Sequence, residues 1–201
     1  MATIKRKGYG QVEPNHLSGI VTGQIYAQLP AHVKTADVGS ADSITQLEQG
    51  QFAKYDYAAG EVNFTGDGEF MLVYNEEKLY DERLQSHKDF VYKAEDFFDG
   101  KMYPRLIKTN VGDIITTNTF EANTSNTAET TGVAISKGNY LQVGTTGFLE
   151  VAQSGNSAAT TMPSTGMVWK VVALTTMPDA KSDGVKIQRV QWQGGERNGI
   201  K

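Results

Sequence analysis

The sequence predicts a mainly β protein, built as one or two small β-barrel or β-sandwich modules with an extended N-terminal arm and a short helical excursion. Two observations carry this. Apolar and aromatic residues fall in short runs of strand length, and Gly-containing turns separate those runs at close spacing. The one charge-rich stretch between them is too irregular for a long amphipathic helix.

Residues 1–40 come first and are the least periodic. Gly8, Gly10, Pro14, Gly19, Gly23 and Pro30 interrupt them, and only Ile20 to Tyr26 has strand character. Yet Tyr9, Val12, Leu17, Ile20, Ile25 and Tyr26 are too many apolar side chains for a purely solvating tail. These six residues are the candidate interface: an extended arm that orders against its own body or against a neighbouring subunit. Lys5-Arg6-Lys7 adds a possible contact to an acidic neighbour, with a solvated charge run as the plain alternative.

Residues 41–121 form the first expected β module. Phe52 to Tyr57 and Glu61 to Phe64 alternate at roughly period two around the turn Ala59-Gly60. Phe70 to Tyr74 is a continuous apolar run. Residues 75–100 are the excursion, in which Asn75 is placed to cap a helical turn. A further strand pair surrounds Val111-Gly112-Asp113. Residues 122–131 are a polar linker or loop rich in Thr, Ser and Asn.

Residues 132–193 form the second module, and 194–201 a flexible tail. Tyr140 to Val143 and Phe148 to Val151 flank a Gly turn, and Val168 to Leu174 is a central strand. The strand from Val185 alternates only at first. Val185, Ile187, Arg189 and Gln191 share one face; Lys186, Gln188, Val190 and Trp192 share the other, so the buried face is ambiguous. A faint likeness joins Leu47-Glu48-Gln49-Gly50-Gln51-Phe52 to Ile135-Ser136-Lys137-Gly138-Asn139-Tyr140, through shared turn chemistry or a repeat. The expected core is Phe52, Phe64, Phe70, Leu72, Tyr140, Leu141, Phe148, Leu149, Val168, Val171 and Ile187, with Trp169 beside it.

Composition limits the chemistry. The 201 residues carry a net charge of −4 and no cysteine, which excludes disulfides, thiolate metal sites and cysteine nucleophiles. So small a charge implies no nucleic-acid partner. No apolar run is long enough for a membrane span and no signal peptide is visible. The histidines, His16, His32 and His87, lack metal-ligand spacing. Glu95, Asp96 and Asp99 form an acidic cluster, read as solvated surface before cation site. No phosphate loop and no nucleophile elbow is present, so no enzymatic activity, cofactor or metal is expected.

Three segments carry a family likeness. They are Lys7-Gly8-Tyr9-Gly10-Gln11-Val12-Glu13-Pro14 with Thr22 to Pro30, Leu47 to Phe52 with its following strands, and Gly138 to Val151 joined to Val168 to Val190. Together they resemble, in style over most of the chain, the structural proteins of tailed-bacteriophage particles, above all the auxiliary or decoration proteins of the head. The resemblance implies β-barrel or β-tulip-like modules and an arm, on a protein that binds the major capsid protein in many symmetric copies. It implies a place in the virion after assembly in the host cytoplasm, and it carries no catalytic motif. A tail-tube or connector component is the alternative. So is a carbohydrate-binding head-fibre module, which would stack sugars on exposed Trp169, Trp192 and tyrosines.

Overall fold

The computed structural model describes residues 2–4, 6, 9–17, 25–26, 44–74, 91–94, 102–122, 127–128, 132–155, 157–177 and 182–191. In chain order the strands are β1 (Ala2–Ile4), β2 (Val12–His16), β3 (Ile25–Tyr26), β4 (Gln46–Glu48), β5 (Phe52–Asp56) and β6 (Glu61–Asn63). Then come β7 (Met71–Val73), β8 (Val91–Lys93), β9 (Leu106–Ile107), β10 (Ile114–Thr117), β11 (Thr127–Ala128) and β12 (Gly132–Ile135). The last are β13 (Tyr140–Val143), β14 (Leu149–Val151), β15 (Gln153–Ser154), β16 (Ser157–Ala158), β17 (Val168–Thr176) and β18 (Asp183–Gln191). No α-helix occurs among the described residues. The expected helical turn at Asn75, the loop residues 123–126 and 129–131, and the tail at 194–201 lie outside them.

The expected mainly β class is what the chain adopts, as several antiparallel sheets, none of them closed into a barrel. A six-stranded sheet has the order β14-β13-β17-β18-β10-β2, and a five-stranded sheet the order β3-β9-β7-β5-β6. Smaller sheets are β1-β12-β11, β15-β16 and β4-β8.

The two large sheets share one core. Trp169 of β17 and Phe52 of β5 are fully buried, with ring centroids 5.7 Å apart. Ile115, Leu141, Leu149, Val171 and Ile187 join them from one sheet and Leu72 from the other. A second cluster lies behind the five-stranded sheet. It gathers Ile44, Leu47, Ala53, Tyr55, Val62, Met71, Val73, Met102 and Leu106. Strands β5 and β7 are therefore covered on both faces. This explains the unbroken apolar run at Met71-Leu72-Val73: Leu72 points into the first cluster and its neighbours into the second.

Seven of the expected core residues are buried: Phe52, Leu72, Leu141, Leu149, Val168, Val171 and Ile187. Phe64, Phe70, Tyr140 and Phe148 are only half-buried, which corrects that expectation. Three of these rings are capped by a cation. Lys54 lies 4.6 Å from the Phe70 centroid, Lys170 5.6 Å from Tyr140, and the Arg6 guanidinium 5.1 Å from Phe148. Rings at the rim of a core keep one face for such contacts.

The large sheets cut across the expected module boundaries. β10, from the segment 41–121, pairs with β18 near the C-terminus and with β2 from the segment 1–40. β1 pairs with β12, matching Thr3 to Ala134. Burial patterns mark strands locally, but sheet order is set by long-range packing, which short-range patterns do not encode.

Leu72→Ala is expected to cost about 2–5 kcal/mol, because it opens a cavity between the two large sheets. Chemical denaturation checks this; an unchanged midpoint would contradict the double-sided burial of β7.

Candidate functional site

The six interface candidates separate in the structure. Val12 and Leu17 are buried in the chain's own first cluster, so they are core residues and not a surface for a partner. The physical reason is pairing: β2 forms the edge of the six-stranded sheet against β10, matching Val12 to Thr117 and His16 to Ile114. Tyr9 is 37% exposed, with Lys93 5.8 Å from its ring centroid. Ile25 and Tyr26 form β3, opposite Ile107 and Leu106. Ile20 lies outside the described residues, as do Lys5, Lys7, His32, His87, Trp192 and the acidic trio Glu95, Asp96 and Asp99.

A buried polar knot holds the N-terminal segment in place. Gln11 N–H donates to Asn118 Oδ1 at 2.6 Å, and Asn118 N–H donates back to Gln11 O at 3.3 Å. Asn118 Nδ2 also donates to Tyr9 O and to Ser182 Oγ, at 3.3 and 3.2 Å. Thr117 Oγ1 lies 2.7 Å from Gln11 O, Thr119 Oγ1 lies 3.0 Å from Gln49 O, and the two hydroxyls are 2.8 Å apart. Thr117, Asn118 and Thr119 are all fully buried. Gly10 runs so close to the β4–β5 corner that a Cβ there would sit 2.2 Å from Gln49 O.

Glu48 is the charged member of this corner and is 5% exposed. Its carboxylate pairs with Arg6 and accepts the Gly10 N–H at 2.6 Å. Such charge-assisted bonds leave the buried carboxylate with partners and not as an isolated charge. Arg6 also faces Glu121, which accepts from the Thr146 hydroxyl and sits beside Glu150. Burial pushes the Glu121 carboxyl above the ordinary carboxylate range, and Glu150 adds to the rise. The Thr146 hydroxyl and Arg6 oppose it.

A second buried charge escaped the sequence reading. Arg189 is fully buried on the face it shares with Val185 and Ile187, which resolves the ambiguity: that face of β18 is the buried one from Val185 to Arg189. Its guanidinium donates to the Thr109 carbonyl and to Thr109 Oγ1. Burial lowers its pKa from the usual arginine value, while Glu69 and Asp113 act in the opposite direction. Arg189 also exchanges backbone bonds with the 110–113 turn: Gly112 N–H donates to its carbonyl and its N–H donates to Asp113 O. The only sequence signal was the failed alternation itself, a charge where period two required an apolar residue.

A half-open cavity of about 180 Å³ is lined by Phe70, Gln142, Val143, Gly166 and Met167, with no titratable group among them. Ligand sites are usually about 300–1,000 Å³. No group of three or more His, Asp or Glu side chains placed to hold a metal ion occurs among the described residues. Trp169 is fully buried and unavailable for stacking on a sugar. Tyr57, Tyr103, Val111 and Met162 are exposed, at 72%, 41%, 48% and 47%.

No family model, curated protein or solved structure matches the chain.

Two tests follow from this geometry. Deleting residues 1–17 removes β2 and the knot's backbone partners, so the truncated chain is expected to lose cooperative unfolding in circular dichroism. A truncated chain with the melting temperature of the full one would show that β2 is dispensable. For Glu121 the folded-state pKa lies above the unfolded value of 4.5, so its contribution is full below that pH and is lost as pH rises through the folded value. Glu121→Gln keeps the neutral form at every pH. It is expected to raise Tm at pH 7 and to change it little at pH 4; the reverse order would contradict the burial argument.

Proposed function

We propose that this chain is a non-enzymatic structural protein that binds capsid subunits and stabilises or decorates a bacteriophage head. One observation supports it most: the buried polar and charged side chains bond the chain's own backbone. Asn118 grips Gln11 and Tyr9, Glu48 grips Gly10, and Arg189 grips Thr109. Such groups preorganise a rigid body, and a rigid body loses little entropy when it docks on a repeated surface. Many weak contacts over a symmetric shell then add by avidity. With Val12 and Leu17 inside the core, the contact surface of this reading moves from the arm to the exposed sheet edge and loops.

Co-expression with a candidate major capsid protein, followed by sedimentation of the shells, tests the proposal. The chain is expected to sediment with shells at a saturating, fixed ratio and to raise their disassembly temperature. A chain that remains in the supernatant with every shell offered would overturn it. Rings formed by the chain alone would turn the reading to the tail-tube alternative.

A further inference from the structure

Two carboxyls meet at the outer edge of the six-stranded sheet. β14 ends that sheet, and residues 119–121 run parallel to it: Leu149 N–H donates to Thr119 O at 3.1 Å and Glu121 N–H to Leu149 O at 2.9 Å. Phe120 and Leu149, opposite each other in this bridge, both point into the core. The next residue on each side turns to the other face, so Glu121 and Glu150 stand side by side, both half-buried. Like charges set directly across a strand pairing repel.

Four segments converge on this pair. From the 144–148 turn, the Thr146 hydroxyl donates to Glu121, and Glu150 folds over Gly144, where a Cβ would meet its Oε1 at 1.9 Å. That turn is anchored to β5 through Phe52 N–H to Gly147 O at 2.8 Å and Gln51 Nε2 to Thr146 O at 2.9 Å. From the N-terminal segment comes Arg6, the cation that faces Glu121 among the described residues. Its guanidinium lies 5.1 Å from the Phe148 ring centroid and is shared with Glu48, the carboxylate that β4 contributes. The Glu121 and Glu150 carboxyls are hydrogen-bonded to each other. Ionised carboxylates only accept, so this bond exists only with a proton between them.

We infer that Glu121 and Glu150 share one proton and form an acid-closed latch, which holds residues 119–121 against β14 while the proton is present and loosens them when both groups are ionised. Burial raises the Glu121 carboxyl above 4.5 and Glu150 adds to the rise, against Thr146 and Arg6. A carboxyl raised in the closed form contributes fully to closure below 4.5, and that contribution is lost as pH rises through its folded value. Opening releases the N–H and the carbonyl of Leu149, so the edge of β14 becomes able to pair with another strand at the higher pH. The latch depends on no reading of what the chain binds.

Backbone hydrogen exchange on the full chain tests this residue by residue. The protection factors of the Glu121 and Leu149 amides, taken relative to that of Val171 within β17, are expected to fall between pH 4 and pH 7. The fall equals the ratio of the shared carboxyl's acid dissociation constants in the open and closed forms. Glu150→Gln puts an amide N–H where the shared proton lies, able to donate to Glu121 at every pH. It is expected to keep the protection and to remove its pH dependence. Carboxyl NMR gives a second measurement. The Glu121 midpoint is expected above 4.5 in the native chain, lower in Glu150→Gln and higher in Arg6→Gln. Relative protection equal at the two pH values would overturn the inference. So would a native Glu121 that titrates at or below 4.5, or a Glu150→Gln chain that keeps the full pH dependence.

Discussion

The fold depends on one side chain amide, Asn118. It sits where three separate stretches of chain leave their sheets together, each with backbone groups that would otherwise be buried without partners. Its Oδ1 takes the Gln11 N–H from 107 residues away, and its Nδ2 reaches both Tyr9 O and Ser182 Oγ. Thr117 and Thr119 on either side do the same for Gln11 O and Gln49 O. An apolar residue at 118 could pack there but could not replace these bonds, and an unpaired buried amide costs about 1–3 kcal/mol. The Thr-Thr-Asn-Thr stretch has the composition of a loop and is wholly buried: Thr116 and Thr117 end β10 between β18 and β2, and beyond them the Asn118 and Thr119 side chains supply what a neighbouring strand would have supplied.

A second economy of design recurs at the strand entries. Glu48-Gln49-Gly50-Gln51 and Ser136-Lys137-Gly138-Asn139 are the same turn. In each the fourth N–H returns to the first carbonyl, and the fourth side chain accepts the first N–H, at 2.5 Å from Glu48 and 2.7 Å from Ser136. Gly takes the third place with φ of 86° and 90°, a region that other residues rarely enter. Asn110-Val111-Gly112-Asp113 is a third instance, with φ of 99° at Gly112 and Asp113 accepting the Asn110 N–H at 2.8 Å. The likeness between the first two segments is thus explained by turn chemistry, and the third shows that the pattern is not confined to a pair.

These turns also explain which parts of the fold were legible in the sequence. Gly-bounded runs placed β5, β6, β7, β13, β14, β17 and β18 because turn chemistry and period-two burial are local. The fate of Val12 and Leu17 was not legible. Their apolar character was plain, but β2 finds its partner across the whole of the 41–121 segment, and nothing near them names β10. Arg189 was invisible for a different reason: a charge on an apolar face looks like a break in the pattern until Thr109 and the 110–113 turn are seen to receive it. Phe70, Tyr140 and Phe148 look like core by type and become rim by position, where Lys54, Lys170 and Arg6 cover them.

The same long-range pairing sets a problem during synthesis. β2 is made early, and its partner β10 emerges about a hundred residues later, which at about 5–20 residues per second is roughly 5–20 s. β1 waits longer still for β12. Throughout that interval an unpaired N-terminal strand is a template for wrong pairing. Its sequence answers this: Pro14 breaks the donor row, Glu13 adds charge, and Arg6 lies within the basic Lys5-Arg6-Lys7 run. The residues that make the segment look like a free arm are therefore of the kinds that discourage wrong strand pairing. In the folded chain Arg6 pairs with Glu48 while Val12 and Leu17 lie in the core, so residues 9–17 belong to the body.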